Sequence, residues 1–337
     1  MTRFATELGA RPRRGLFFQF YLCIAFLAGL PVTAPVSAAG ATLTSSPASV
    51  PDAARTPDAE RLTFNGSRAF EDLKRLVAFG PRPPGSKALA DSRAWIIQEL
   101  KSAGCQVEED RFVASTPLGS IPMTNVIARI PGARSSVVMI AGHYDTKRFD
   151  DFTFVGANDG ASSAAFLLEL ARWLGHRKSL VTYWLVFFDG EEALRQWSAT
   201  DSVYGSRHLV QKLAADGQLN RVQAMILVDM IADARLDIHR EANSTPWLTD
   251  MVFDAAHRLG YTKYFLNDSG YIQDDHLPWI NAGVSAVDII DLDYGPNNSY
   301  HHTAQDIVDK CSPQSMSIVG RVVTAVLEDL EKSPRLR

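Results

Sequence analysis

An α/β domain, with a mostly parallel central sheet flanked by helices on both faces, is the fold class the sequence predicts, and three observations carry that prediction. Short apolar runs with no polar alternation recur at 136–140, 183–188, 225–229 and 285–290, the pattern of strands covered on both faces. Segments with helical apolar spacing separate them. Beyond residue 60 there is no internal repeat and no change of composition, so a single domain over 61–337 is the simplest organisation.

In chain order, 69–79 reads as the first helix, and Gly80-Pro81-Arg82-Pro83-Pro84-Gly85 stops it. A second helix spans 86–102. Two β-rich runs, 124–130 and 136–140, flank a Pro131-Gly132 turn. Small and apolar residues make 160–175 a helix suited to close packing. A strand at 183–188, a helix at 205–215, a strand at 225–229, a helix at 247–259, a strand at 285–290 and a closing helix at 314–330 complete the series.

The segment before the domain is different. Arg3, Arg11, Arg13 and Arg14 form a basic start, 16–30 is almost wholly apolar, and no charge follows until Asp52. With small residues at Val36-Ser37-Ala38-Ala39, residues 1–38 read as an export signal, which makes the protein secreted or periplasmic. Retention of the segment would instead make it a membrane anchor, although the apolar run is short for a span. Residues 39–60, rich in Ala, Ser, Thr and Pro, read as a flexible linker. The net charge of −4 over 337 residues offers no basic face for nucleic acid. Of three cysteines, Cys23 lies in the signal, and Cys105 and Cys311 are left either to bridge or to stay as two buried thiols.

In parallel sheets ligands bind beyond the carboxyl ends of the strands. There the sequence places His143-Tyr144-Asp145, Asp189-Gly190-Glu191-Glu192, Asp229 and, through a loop, His301-His302-Thr303. Asp159 opens the small-residue helix, where negative charge is favoured. Each alone has a bland reading as a turn residue, a cap or a solvated charge. Together, acids and histidines at one sheet edge need a cation to neutralise them. Zinc suits carboxylate and imidazole ligands, whereas calcium and magnesium do not need the histidine. Neighbouring Glu191 and Glu192 point different ways, so one can bind metal while the other faces substrate.

At these positions the chain resembles the zinc aminopeptidase clan, and within it the glutaminyl cyclases. The clan pattern is met by His143-Tyr144-Asp145, Asp159, Glu191-Glu192, Asp229 and His302-Thr303. The strings Phe187-Phe188-Asp189-Gly190-Glu191-Glu192-Ala193 with Trp197, Asp201-Ser202-Val203-Tyr204-Gly205-Ser206-Arg207-His208-Leu209, and Gln273-Asp274-Asp275-His276-Leu277-Pro278 are similar to the cyclase branch. The resemblance covers about residues 65–330. It implies one zinc per chain held by Asp159, Glu192 and His302, Glu191 as proton shuttle, Asp229 and Asp274 as further catalytic acids, Trp197 as pocket wall and Gln273 as a contact to the substrate amide. The implied reaction is cyclisation of the N-terminal glutamine of peptides or proteins to pyroglutamate with release of ammonia; separately, the protein is expected to be a monomer.

The chain departs from the cyclase pattern at His301, where a Trp is frequent, and at Gly160, where Ser is frequent. The 291–300 loop is longer than in the animal enzymes. A secreted two-zinc aminopeptidase is the rival reading, since His143 and Asp229 would hold a second zinc across Asp159. A binding protein with a degenerate metal site is a third. Arg207 and His208 read as structural, His276 as packed below Asp274, and His239 and His257 as surface residues.

Overall fold

The computed structural model describes residues 63–336. The expected signal and linker lie outside the described residues. Helix α1 (Gly66–Val77) starts at Asn65, whose side chain accepts the Arg68 N–H. Helix α2 (Lys87–Ser102) starts in the same way at Ser86, which accepts from Leu89. Then follow β1 (Gln106–Thr116), β2 (Gly119–Ile130), β3 (Val137–His143), α3 (Ala161–Gly175), β4 (Thr182–Phe188), α4 (Tyr204–Ala215) and β5 (Val222–Asp229). The chain closes with β6 (Ile238–Glu241), α5 (Pro246–Arg258), β7 (Phe265–Gly270), the short α6 (His276–Asn281), β8 (Ala286–Ile290) and α7 (Pro313–Lys332).

Six strands form one sheet in the order β1-β2-β4-β3-β5-β8. The four strands β4, β3, β5 and β8 are parallel. The pairs β1–β2 and β2–β4 are antiparallel. A separate parallel pair, β6 with β7, lies outside this sheet. Strands β1, β6 and β7 were not among the sequence expectations. The exposure pattern of β1 is that of a strand open to solvent along much of its length, so it carries charge instead of an apolar run.

Helices cover both faces, as expected. Alternate residues Val138, Ile140, Leu185, Phe187, Ile226 and Val228 pack under α1, α3, α5 and α7. Their neighbours Val137, Met139, Trp184, Val186, Met225 and Leu227 pack under α4 and α6. This is the period-two alternation of a strand, with both sides apolar. Helix α3 lies close against β3 because its first turns are Ala and Ser. A Cβ on Gly142 would stand 2.7 Å from Ser163 Cβ. Cys105 and Cys311 are both buried free thiols. Among the described residues no helix is long and apolar enough to cross a membrane.

From β3 the chain passes outward to β4, then returns across β3 to β5. Strands β3 and β5 are therefore the neighbours at which the winding reverses, the place where such sheets open a crevice at their carboxyl ends. His143 ends β3 and Asp229 ends β5.

Candidate active site

A cleft of about 350 Å³ opens at this sheet edge, lined by Asp159, Glu191, Glu192, Trp197, Asp229, Gln273, Asp274, His301 and His302. All eight residues singled out from the sequence as catalytic, metal-binding or substrate-binding line it, and they come from five separate loops and strand ends. Sequence reasoning missed the apolar walls, Met230, Tyr271, Ile272, Ile290 and Leu292. A larger hollow, about 830 Å³, lies at the opposite end of the sheet beside Val222 and Ser285. It collects no cluster of acids and histidines, so chemistry places the site in the smaller cleft.

The loop geometry is built from buried polar anchors. Asp145, fully buried after β3, accepts the Glu191 N–H at Oδ1 (3.2 Å) and the Glu192 N–H at Oδ2 (3.3 Å). Asp306 accepts the N–H groups of Asn158 (2.7 Å) and Asp159 (3.1 Å), and Tyr294 Oη donates to it at 2.9 Å. Arg82, fully buried, donates to the carbonyls of Val155 and Gly156 just before Asp159. Three non-glycine residues around the cleft have left-handed backbone: Val203 (φ 44°), Met230 (φ 50°) and His302 (φ 52°). Such strain persists where surrounding structure over-determines it, and it clusters at functional sites.

His302 Nε2 lies 3.2 Å from Asp159 Oδ2 and 3.1 Å from Glu192 Oε1. Donor atoms bound to one tetrahedral zinc at ~2.0–2.1 Å stand about 3.3 Å apart, so His302 with either carboxylate has that spacing, whereas the group whose ligand atoms all lie within 4.8 Å joins Asp159 and His302 to His301 and not to Glu192. Asp159 Oδ2 is buried and accepts no hydrogen bond. Burial works against a charge on His302, but Glu192 and Asp159 hold its pKa up to about 10. Burial also works against ionised Asp159, yet His143 and His302 pull it well below the usual carboxylate range. Glu192 is pushed up, by burial and by Asp159, against the pull of His302. His143 on Asp159 and Lys147 Nζ, 3.4 Å from Glu192 Oε2, bring further positive charge, so the case for an ion is the chemistry of the donors, and carboxylates with an imidazole fit zinc.

A second set adjoins the first. His143 Nε2 lies 3.2 Å from Asp159 Oδ1 and 3.2 Å from Asp229 Oδ1. Despite burial, Asp229 above all, with Asp145 and Asp159, raises His143 well above the usual imidazole range. His301 stacks on His302 with ring centroids 3.9 Å apart. It joins Asp159 and His302 in a group whose ligand atoms lie within 4.8 Å, as His143, Asp159 and Asp229 do. His301 thus stands beside Asp159 and His302, while Asn298 Nδ2 lies 3.4 Å from its Nδ1.

Glu191 and Asp274 form the acidic wall. Burial lifts Glu191 well above its ordinary value; His143 opposes this, while Asp274, Glu192 and Asp275 add to it. Burial, Asp229 and Asp275 do the same for Asp274. Trp197 Nε1 donates to Gln273 Oε1 at 3.2 Å and closes one side of the cleft. Of the remaining histidines, His208 stacks on Phe112, and His276 is wholly buried against Glu241. His257 is exposed. His239 is only half-exposed, because it bridges Asp268 and Asp293.

The profile of Peptidase family M28 matches residues 125–327. The glutaminyl-peptide cyclotransferase of Bos taurus is 33% identical over 296 residues, 77% of this chain and 81% of the relative. The chain belongs to peptidase family M28 and, within it, to the glutaminyl-peptide cyclotransferases. Among solved structures, an Acidobacteriales bacterium glutaminyl cyclase is similar to this cyclotransferase-family chain with a TM-score of 0.77 and 41% identity. That match covers 88% of this chain and 99% of the other. A Zn-dependent exopeptidase from Parabacteroides distasonis has a TM-score of 0.73 and 26% identity, covering 79% and 98%.

Proposed function

We propose that this chain cyclises the N-terminal glutamine of peptides to pyroglutamate with release of ammonia, using one zinc held by Asp159, Glu192 and His302. The observation that carries this reading is the meeting of Asp159 and Glu192 on His302 Nε2, with Glu191 beside them in the same cleft. Bound there, zinc supplies Lewis acidity to the side-chain carbonyl of the substrate glutamine. The chain's residues do the rest. Gln273 and Trp197 orient the glutamine so that its own α-amine approaches its side-chain carbon, capturing an intramolecular advantage. As the new C–N bond forms, Glu191 accepts a proton from the amine. It returns that proton to the departing amide nitrogen as the old C–N bond breaks and ammonia leaves. No water is consumed. Asp229 and Asp274 line the same cleft, and Asp274 adds to the affinity of the Glu191 carboxyl for a proton.

The secreted two-zinc aminopeptidase is the second reading, favoured by the His143–Asp159–Asp229 set. Against it, His143 is nearly sealed from solvent and lies outside the cleft lining. A charged His143 between Asp159 and Asp229 neutralises that half of the site without a second ion. An ammonia-release assay on Gln-initiated peptides, run beside an aminoacyl substrate, separates the two. Peptide-bond cleavage without ammonia would overturn the cyclase reading. We also hold that the protein is exported by residues 1–38 and works as a monomer. Cell fractionation and sedimentation of the purified protein test these points.

A further inference from the structure

Gln273 and Asp274 sit on a short irregular loop between β7 and α6. Both ends of that loop are tied to one side chain. The Ile272 N–H donates to Glu241 Oε1 at 3.1 Å, and His276 Nε2 lies 3.1 Å from Glu241 Oε2. Glu241 comes from β6, and its side chain is fully buried, as is that of His276. The Asn243 N–H (3.0 Å) and Nδ2 (2.9 Å) also donate to Oε1. The Ser244 N–H (2.7 Å) and Oγ (2.9 Å) donate to Oε2. Asn243 Nδ2 reaches on to the Ile272 carbonyl at 3.1 Å, and Ser244 Oγ accepts the Asp288 N–H at 3.0 Å.

An ionised carboxylate only accepts, so His276 must donate from Nε2. Burial works against this charge, but hydrogen bonds from His276, Asn243 and Ile272 hold the Glu241 carboxyl down to about 2. A buried ion is a weak device for stability, since apolar packing closes the same space without its desolvation cost. What the carboxylate does that packing cannot is fix several backbone and side-chain donors in defined directions. Two of those donors bracket the residues that meet the substrate.

We propose that Glu241 is a positioning residue for the cyclisation, holding both ends of the Ile272–His276 segment and so setting where Gln273 and Asp274 stand in the cleft. The chemical part of this proposal rests on the function proposed above; the clamp itself rests only on the hydrogen bonds.

Glu241→Gln tests it, because an amide keeps an acceptor on one edge and turns N–H groups toward donors on the other. In the zinc-loaded full chain, kcat/KM for a Gln-initiated peptide should fall about ten- to a hundredfold, the scale of a small misplacement. KM should rise as kcat falls, and zinc content should hold. Hydrogen exchange should quicken at 272–275 and stay unchanged in β3 and β5. A merely structural role would lower the folded fraction and leave KM alone. His276→Gln retains a donor and should keep most of the activity that His276→Ala loses. If Glu241→Gln does not fold, Asn243→Ala, at an exposed position, opens the Ile272 end alone and reads the same quantities. Wild-type KM together with wild-type exchange at 272–275 overturns the proposal. If the wild-type chain releases no ammonia, the cyclase reading fails separately, and the exchange result still decides whether the clamp exists.

Discussion

Glu191 and Glu192 hang from the same carboxylate, since the two oxygens of Asp145 each accept one of their N–H groups. Their side chains then part. Glu192 Oε1 lies 3.1 Å from His302 Nε2, whereas Glu191 Oε2 lies 3.9 Å from His143 Nδ1 and faces the cleft. Two adjacent residues of one type thereby face different partners, which suits the proposed division into one ligand and one proton carrier.

Glu191→Gln should therefore separate chemistry from metal binding. The amide keeps the volume of the side chain and loses the ability to take a proton. Turnover should drop by about 10²–10⁴, the usual scale for a lost general base, while the zinc content stays that of the wild-type protein. Ammonia release and metal analysis on one preparation check both halves. Retained turnover would remove Glu191 from the proton path.

His302→Ala should behave in the opposite way. It removes the nitrogen that lies within 3.2 Å of Asp159 and 3.1 Å of Glu192, leaving both buried carboxylates without that partner. Zinc should be lost on dialysis and activity with it. In the wild-type protein, metal analysis should give about one zinc per chain, since one open tetrahedral site accounts for the cleft donors. A value near two would favour the hydrolase.

That these residues would meet in one cleft was legible because their signals are local. Asp159, Glu191, Glu192 and Asp229 each stand just past an apolar run or at the mouth of a helix, where fold topology alone brings residues together, whereas His302 lies in the loop between β8 and α7 and was read from the family pattern. The family strings around Trp197 and Gln273 added the substrate side. Asp306 and Glu241 were not legible. Each is a buried acid whose partners arrive from distant segments, and nothing in Gln305-Asp306-Ile307 or Arg240-Glu241-Ala242 marks the acid as buried. Strands β6 and β7 escaped for a similar reason: β7 is mostly exposed, and neither shows an apolar run.

Asp306→Ala tests how far Asp159, as the proposed metal ligand, depends on its support. Asp159 is placed through its own N–H and that of Asn158, both donating to Asp306. Loss of such outer support around a metal ligand costs about 10–100-fold in metal affinity. Zinc affinity, measured by competition with a chelating dye, should weaken by that order while the far-ultraviolet circular dichroism is retained. Unchanged affinity would mean that Arg82 and the helix mouth suffice to hold the loop.

Acid should expose the Glu241 clamp through stability. Its carboxyl is lowered from an ordinary value of 4.5 to about 2 in the folded chain. A depressed acid contributes stability that is fully present above its unfolded pKa and is lost as pH falls through the folded one. The window therefore runs from about pH 5 down to about pH 2, and the shift corresponds to ~3 kcal/mol at its upper end. Other buried acids, among them Asp274 and Asp288, are raised instead, so they favour the folded chain as pH falls and partly mask the effect in the wild-type protein alone. Comparison with Glu241→Gln removes what is common to both proteins and leaves in the gap the part of the Asp288 shift that Glu241 itself causes. With chelator present in both samples, urea unfolding at a series of pH values should show the gap between wild type and variant narrowing as pH drops from 5 toward 2. A gap that stays constant across that range would mean that the buried carboxylate is not held ionised by His276 and the loop N–H groups.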